Sequence, residues 1–254
     1  MMINFVKGEG GGNDFVLTPY VPDYDYSSLC SRLLKRNYGV GGDGLVVMDG
    51  KKMIFYNPDG SNVPFCGNAV RVFFRLLYIQ GKVEKEDEVE TEAGTVHLIY
   101  NDNDTVSALM PEVRILEKRD NGAIVRCGVP HYVIPTENVE ELDVIKEGIK
   151  LSNAIPGRNN VDWFREKEGS VFIRVFERGV EGETLSCSSG IASVSFYIME
   201  ETGRDKLAVK TIGGNFETVR ENEDRLWLTG EANIVFKGEI PEGENSWEKR
   251  NLLI

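Results

Sequence analysis

Positive charge is scarce in this 254-residue chain. Lysine and arginine together number 29 against 41 aspartates and glutamates, giving a formal net charge of -12. A nucleic-acid or anionic-membrane partner needs a concentrated basic face to neutralise phosphates, so both classes are excluded as expectations. Histidine is rarer still, with only His97 and His131. The four cysteines (Cys30, Cys66, Cys127 and Cys187) are dispersed and form no C-x-x-C pair. With so few histidines to complete a tetrahedral site, no metal is expected, and scattered free thiols suit a reducing cytoplasm. No apolar run is long enough to cross a bilayer. The segment Met1-Met2-Ile3-Asn4-Phe5-Val6-Lys7-Gly8 lacks the apolar core of a signal peptide.

Two segments each place a cysteine where a buried helix should begin. Phe65-Cys66-Gly67-Asn68 leads into Ala69, Val70, Val72, Phe73, Phe74, Leu76 and Leu77. Leu185-Ser186-Cys187-Ser188-Ser189-Gly190 leads into Ile191, Ala192, Val194, Phe196, Ile198 and Met199. Unpaired N–H groups and the positive end of the dipole at a helix start favour thiolate. Two such thiols suggest an acid/base pair facing one substrate, the chemistry of a racemase that needs no cofactor.

The cysteines also sit in an internal repeat. Phe55 and Phe176 each lie 11 residues before their cysteine. Gly81 follows Cys66 by 15 residues and Gly203 follows Cys187 by 16. Val89-Glu90-Thr91 and Val209-Lys210-Thr211 follow at 23 and 22. A period of about 120 residues is too long for a solenoid and indicates a duplicated domain. Two related halves imply a pseudo-two-fold axis that brings both helix starts to one cleft. Cys30 and Cys127 lack this context and are expected to be small core residues.

Between these landmarks the chain is strand-rich. Strands are predicted at Met2–Val6, Phe15–Thr18, Gly44–Met48, Lys52–Tyr56, Val89–Thr91, Thr95–Tyr100 and Val106–Met110, with a boundary near Met110-Pro111. The second half yields Gly122–Cys127, His131–Ile134, Val161–Arg165 and Ser170–Glu177, with a polar-faced helix at Val139–Leu151. The post-cysteine helices are apolar on nearly all sides and so are expected to be buried. The predicted fold is α/β of the α+β kind, with two pseudo-symmetric domains, each a curved sheet wrapped around a central helix. The halves are placed at residues 1–111, joined by 233–254, and at 112–232. The segment Pro241–Ile254 reads as a tail, docked by Leu252, Leu253 and Ile254.

Seven short motifs then occur in a fixed order. They are Gly10-Gly11-Gly12-Asn13-Asp14-Phe15-Val16, Gly39-Val40-Gly41-Gly42-Asp43-Gly44, Asn57-Pro58-Asp59-Gly60-Ser61, Phe65-Cys66-Gly67-Asn68, Gly128-Val129-Pro130-His131, Asn160-Val161 and Glu177-Arg178-Gly179. The glycine-rich first motif precedes a strand and carries no P-loop lysine, so it reads as a tight turn presenting Asn13 rather than as a phosphate cradle. Together the motifs resemble diaminopimelate epimerases from about Asn4 to Ile240. The resemblance implies a homodimer with the strand near Phe236 as a contact, and a small amino-acid substrate with no cofactor and no metal. It also implies catalysis by Cys66 and Cys187, one taking the α-proton and the other returning one to the opposite face. His131 and Glu177 would each lie near one cysteine and tune it. Asn13, Asn57 and Asn160 would bind polar groups of the substrate, and Gly67, Asn68, Ser188 and Ser189 its reacting carboxylate. Glu177 and Arg178 would take the distal amino and carboxylate groups. The chain departs from the family pattern at Gly44, where a glutamine is common, at Val129, where asparagine is common, and at Ser188, where glycine is usual. A broader cofactor-independent amino-acid racemase is the alternative.

Overall fold

The computed structural model describes residues 2–154, Gly157 and 159–241. The expected docking of the tail by Leu252, Leu253 and Ile254 lies outside these residues. The first run of elements is β1 (Met2–Gly10), β2 (Asn13–Pro19), α1 (Tyr26–Leu33), β3 (Gly44–Asp49), β4 (Lys52–Tyr56), β5 (Asn62–Val63), α2 (Gly67–Ile79), β6 (Glu86–Thr91), β7 (Gly94–Tyr100) and β8 (Thr105–Leu109). The second is β9 (Val113–Arg119), β10 (Gly122–Cys127), β11 (Val129–Pro135), α3 (Val144–Ala154), β12 (Asn160–Lys167), β13 (Ser170–Glu177), β14 (Gly182–Thr184), α4 (Ser188–Thr202), β15 (Lys206–Thr211), β16 (Gly214–Arg220) and β17 (Leu226–Glu231), followed by β18 (Asn233–Pro241).

The pairings repeat. In the first half β2 runs parallel to β3, β3 antiparallel to β4, β4 antiparallel to β5 and parallel to β6, and β6 to β8 form a meander. In the second half β11, β12, β13, β14, β15, β16 and β17 reproduce that sequence of partners. β10 pairs with β9 on its outer side, whereas β1 pairs with β18, the last described strand. β18 therefore occupies in the first half the place that β9 occupies in the second. β8 and β17 pair antiparallel, Leu228 opposite Ala108, and weld the halves into one hydrogen-bonded sheet.

Each long helix is enclosed by its own curved sheet. α2 contributes Val70, Val72, Phe73, Phe74 and Leu77 to a core with Phe15, Leu17, Val46, Phe55, Leu98 and Val106. α4 contributes Ile191, Val194, Ile198 and Met199 to a core with Val125, Val133, Ile173 and Leu228. Each such fully buried side chain is worth roughly 1.5–3 kcal/mol in transfer free energy. Strand alternation supplies the outer layer. Phe15 and Leu17 face α2, while Val16 between them packs with Leu29, Cys30 and Leu33 around α1. Likewise Phe164 faces the α4 core, while Val161 and Trp163 join Val144 at α3. These strands are covered on both faces, which explains their nearly continuous apolar sequences. Gly81 and Gly203, which mark the repeat, follow the two long helices in the left-handed conformation at φ 66° and 70°.

One expectation needs correction, and one element was not predicted. The predicted helix at Val139–Leu151 is instead a 3-10 turn, Val139–Glu141, followed by α3. Leu142 is extended at ψ 132°, and Asp143 then accepts from the backbone of Lys146 and restarts the chain as a helix. α1 was not anticipated from periodicity. It is only eight residues long, and Asp25 caps it by accepting from the Ser28 backbone N–H.

Candidate active site

The two long helices meet head to head. Cys66 and Cys187 are their N-cap residues, both extended, with φ/ψ of -137°/111° and -128°/112°. Neither thiol belongs to a disulfide. The first turns touch: a Cβ on Gly67 would lie 2.6 Å from the Ser188 Cβ, so only glycine permits this approach. Ser188 Oγ donates to Asn68 Oδ1 at 2.6 Å, which ties α4 to α2.

Beneath that junction lies Arg71, which the sequence reading passed over. It is fully buried. It donates to Asn68 Oδ1 at 2.7 Å, Ser188 Oγ at 3.1 Å and Gly67 O at 3.2 Å, and its guanidinium lies over the Phe216 ring at 5.4 Å. All these partners are neutral, and burial lowers the Arg71 pKa to about 10. The residue missed is thus a buried cation beside Cys66. Its sequence signal was a charged residue, one of two with Arg75, in a largely apolar helix.

The Asn13 amide is presented from the β1–β2 turn, where Gly11 and Gly12 adopt φ of 62° and 82°. It donates to Asp43 at 3.1 Å and accepts from Asn68 Nδ2 at 2.5 Å. Asn68 Nδ2 also donates to Ser186 Oγ at 3.0 Å. Asn160 lies opposite His131 in the parallel β11–β12 pair and accepts from the Arg178 backbone N–H at 3.0 Å. The Arg178 side chain donates to Gly157 O at 3.2 Å. Asn57 is held in its own loop, donating to Ser61 Oγ at 3.1 Å. Asn13, Gly67, Asn68 and Ser188 are therefore joined directly. His131, Asn160, Arg178 and Ser189 form a second connected group, and Asn57 contacts neither through these bonds.

The electrostatics reverse one expectation. The helix starts were expected to favour thiolate. Instead burial pushes the Cys66 thiol up to about 11, and the nearby Glu177 carboxylate adds to the rise. Backbone N–H groups of Ala69 and Asn68, and the charge of Arg71, pull the other way without prevailing. Cys187 is pushed well above the ordinary thiol range by burial, then by Glu177 and Asp162. Desolvation of the sulfur anion here outweighs half a unit of dipole charge. Glu177 is itself raised, chiefly by burial, although it accepts from the Thr184 hydroxyl. Its charge acts on both sulfurs, so both lie close to it. Cys30 and Cys127 are buried in the core, as expected. Among the described residues no three of His, Cys, Asp and Glu are grouped to hold a metal. Two hollows of about 490 and 500 Å³ open elsewhere, and neither is walled by Cys66 or Cys187.

Two thiols capping opposed, buried helices within one duplicated fold invite comparison with known proteins. The sequence profile of diaminopimelate epimerase matches residues 5–116 and 123–235, one stretch in each half. The chain belongs to the diaminopimelate epimerase family. The diaminopimelate epimerase of Caldanaerobacter subterraneus subsp. tengcongensis is 32% identical, with 94% of this chain and 99% of that protein covered. That of Aquifex aeolicus is 31% identical over 94% and 98%. Among solved structures, a phenazine biosynthesis protein of the PhzF family from Enterococcus faecalis superposes with a TM-score of 0.75 at 14% identity, covering 95% of this chain and all of that one. A probable proline racemase from Agrobacterium radiobacter K84 gives 0.71 at 16% identity, over 95% and 93%. At such identities these two show a shared fold and nothing more.

As a diaminopimelate epimerase family member the protein is an isomerase acting on a small molecule. Where the family often carries glutamine, this chain has Gly44, and the space is taken. A Cβ there would lie 2.3 Å from the Phe55 ring. Where glycine is usual it has Ser188, whose hydroxyl joins Arg71 to Asn68. No helix among the described residues is long and apolar enough to cross a membrane.

Proposed function

We propose that this protein interconverts LL- and meso-diaminopimelate, moving the α-proton between the sulfurs of Cys66 and Cys187. The observation that carries the reading is the opposition of two cysteine-capped helix starts that touch at Gly67 and Ser188. Inverting a carbon through a planar intermediate calls for a base on one face and an acid on the other. One sulfur, as thiolate, removes the α-proton. The other, as thiol, donates one to the opposite face, and the roles exchange with the direction of reaction. N–H groups of Gly67, Asn68, Ser188 and Ser189 would hold the α-carboxylate, into which the carbanion's charge spreads. Burial raises both thiols, so forming the thiolate calls for compensating positive charge nearby. The substrate's ammonium groups beside Glu177 would supply compensating positive charge.

Asn13, Asn57 and Asn160 bind the substrate's polar groups in this reading. Glu177 and Arg178 take the distal amino-acid head, while Glu177 and His131 tune the sulfurs. The enzyme would serve lysine and peptidoglycan precursor synthesis in the cytoplasm, as a homodimer meeting along β18, where Val235 and Phe236 are exposed. The test is α-proton exchange from heavy water with meso-diaminopimelate, lysine and proline. Exchange should occur with diaminopimelate, and neither Cys66→Ala nor Cys187→Ala should invert it. Robust turnover of lysine or proline would favour a broader amino-acid racemase instead. That second reading draws on Val129, which removes a side-chain amide from the expected place of the distal group.

A further inference from the structure

The Asn68 side chain spends its whole hydrogen-bonding capacity where the two halves meet. It is buried. Its Nδ2 donates to Asn13 Oδ1 at 2.5 Å and to Ser186 Oγ at 3.0 Å, with the Ser186 carbonyl at 3.4 Å. Its Oδ1 accepts from Arg71 at 2.7 Å and from Ser188 Oγ at 2.6 Å. An amide has two hydrogens and two lone pairs, so none is left over. Asn13 and Arg71 belong to the first half, Ser186 and Ser188 to the second. The side chain pins one half to the other, and a substrate is left only the backbone N–H of Asn68.

These bonds have a direction that is fixed from both ends. A guanidinium can only donate, so Arg71 requires Asn68 to turn its oxygen inward. A carboxylate can only accept. Asp43 Oδ2 accepts from the Asn13 amide at 3.1 Å and from the Asp14 backbone N–H at 3.2 Å, and Arg36 holds Asp43 Oδ1 at 2.8 Å. Asn13 therefore turns its nitrogen to Asp43 and its oxygen to Asn68. From Arg71 through Asn68 and Asn13 to Asp43, every group donates in the same sense, and aligned amide dipoles strengthen one another. The buried cation, whose direct partners are neutral, reaches a carboxylate through two amides. A separate observation shows the halves pressed together beside this chain. Ser186 Oγ donates to Gly11 O at 2.6 Å, and a Cβ on Gly213 would lie 2.0 Å from that same oxygen. Gly213 has no positive φ, so close approach and not turn geometry calls for glycine there.

We propose that Asp43 and Asn68 are positioning residues for the reaction. Asp43 fixes, through Asn13, which way the Asn68 amide faces, and that amide holds the starts of α2 and α4 in register. The proposal deepens the two-thiol reading above and rests on it. Asn68 and Ser188 lie in the first turns of the two helices, next to the N-caps Cys66 and Cys187. One amide thus acts on both sulfurs and on the N–H groups assigned to the α-carboxylate.

The test reverses the direction of the chain. Asn68→Asp keeps an oxygen for Arg71 and Ser188 but turns its other oxygen toward that of Asn13. Asn13 escapes only by presenting its oxygen to the Asp43 carboxylate. Asp43→Asn removes this second conflict, because it can offer an amide hydrogen. Asn68→Asp should lower the denaturant midpoint and cut kcat for diaminopimelate roughly ten- to a hundredfold, with a smaller change in KM. Adding Asp43→Asn should raise the midpoint again and recover part of kcat. Asp43→Asn alone should do less harm than Asp43→Ala, since its oxygen still accepts from Asn13. If Asn68→Asp does not fold in either background, Asp43→Ala and Ser188→Ala decide, at positions that share no hydrogen bond. Ser188→Ala should then cost at least about threefold less in the unfolding constant when Asp43→Ala is already present. A midpoint for Asn68→Asp that Asp43→Asn fails to raise, or strictly multiplicative effects of Asp43→Ala and Ser188→Ala, would overturn the proposal. So would a kcat for Asp43→Ala equal to that of the unsubstituted enzyme. Recovery of the midpoint with no diaminopimelate turnover in the unsubstituted enzyme would keep the chain and reject the substrate.

Discussion

Replacing Arg71 by methionine separates what the buried cation does for chemistry from what it does for the fold. Three hydrogen bonds are lost, to Asn68 Oδ1, Ser188 Oγ and Gly67 O. At about 1.5–3 kcal/mol each for a charged donor the gross loss is considerable. Two circumstances reduce it. Asn68 Oδ1 still accepts from Ser188, so that acceptor is not orphaned. The guanidinium is also buried among neutral partners, and its removal recovers the desolvation cost that lowers its pKa to about 10. The net change in stability should stay within about 2 kcal/mol, a few degrees in Tm for a chain of this size. Cys66 fares worse. Arg71 adds its charge to the backbone N–H groups of Ala69 and Asn68 in lowering the Cys66 pKa, against burial and Glu177. Each unit of further rise removes tenfold of the thiolate, about 1.4 kcal/mol. Labelling of Cys66 by iodoacetamide at mildly alkaline pH should therefore slow measurably, while Cys187 changes little. Arg71→Lys should restore part of the reactivity and less of the bonding, because an ammonium lacks the planar fork. The reasoning fails if Arg71→Met unfolds the protein with no selective effect of Arg71→Lys on Cys66, or if both thiols slow equally.

Other tests address substrate choice, pH and packing. Arg178→Ala should cost diaminopimelate roughly ten- to a hundredfold in kcat/KM, and any residual lysine turnover much less, since lysine has no distal carboxylate to lose; equal losses would make Arg178 structural. Val129→Asn should sharpen selectivity for diaminopimelate, and an unchanged substrate panel would refute that. The thiols of Cys66, Cys30 and Cys127 are raised on folding to about 11, 12 and 12, chiefly by burial. Each folded thiol keeps its proton where the unfolded one, with an ordinary value near 9, has lost it. Their contribution is therefore full below pH 9 and drains away as pH rises through the folded values. Denaturant midpoints at about pH 8 and about pH 10.5 should show this fall, and Cys127→Ala should shallow it; a flat response would refute it. Gly44→Ala should destabilise by about 1–3 kcal/mol through the Phe55 ring, as thermal unfolding would report, whereas a neutral result would mean the ring swings aside freely.

Much of the architecture was legible in the sequence because it rests on local rules. Apolar runs after each cysteine dictated buried helices. Strand alternation and doubled apolar faces marked most strands, and the matched spacings of Phe55, Cys66 and Gly81 with Phe176, Cys187 and Gly203 declared the duplication. Where local signals conflicted the reading failed. Val139–Leu151 has helical periodicity, yet Asp143 caps a helix that begins only after the extended Leu142. α1 is too short for periodicity to register.

The sequence by itself named the candidate residues: two cysteines at two helix starts, a histidine after Val129-Pro130, and the Glu177-Arg178 pair. Only the tertiary structure decided their condition. Each helix start alone predicts a favoured thiolate. Enclosure of both starts beside Glu177 reverses that, because desolvation and like charge belong to the assembled site and to no segment of the chain. The same holds for Arg71, whose burial between α2 and α4 joins residues more than a hundred positions apart, and for Asp162, which meets His131 across β11 and β12. Such long-range contacts leave no periodic trace in the sequence, since they exist only where closure of the sheets brings distant strands and helix starts together.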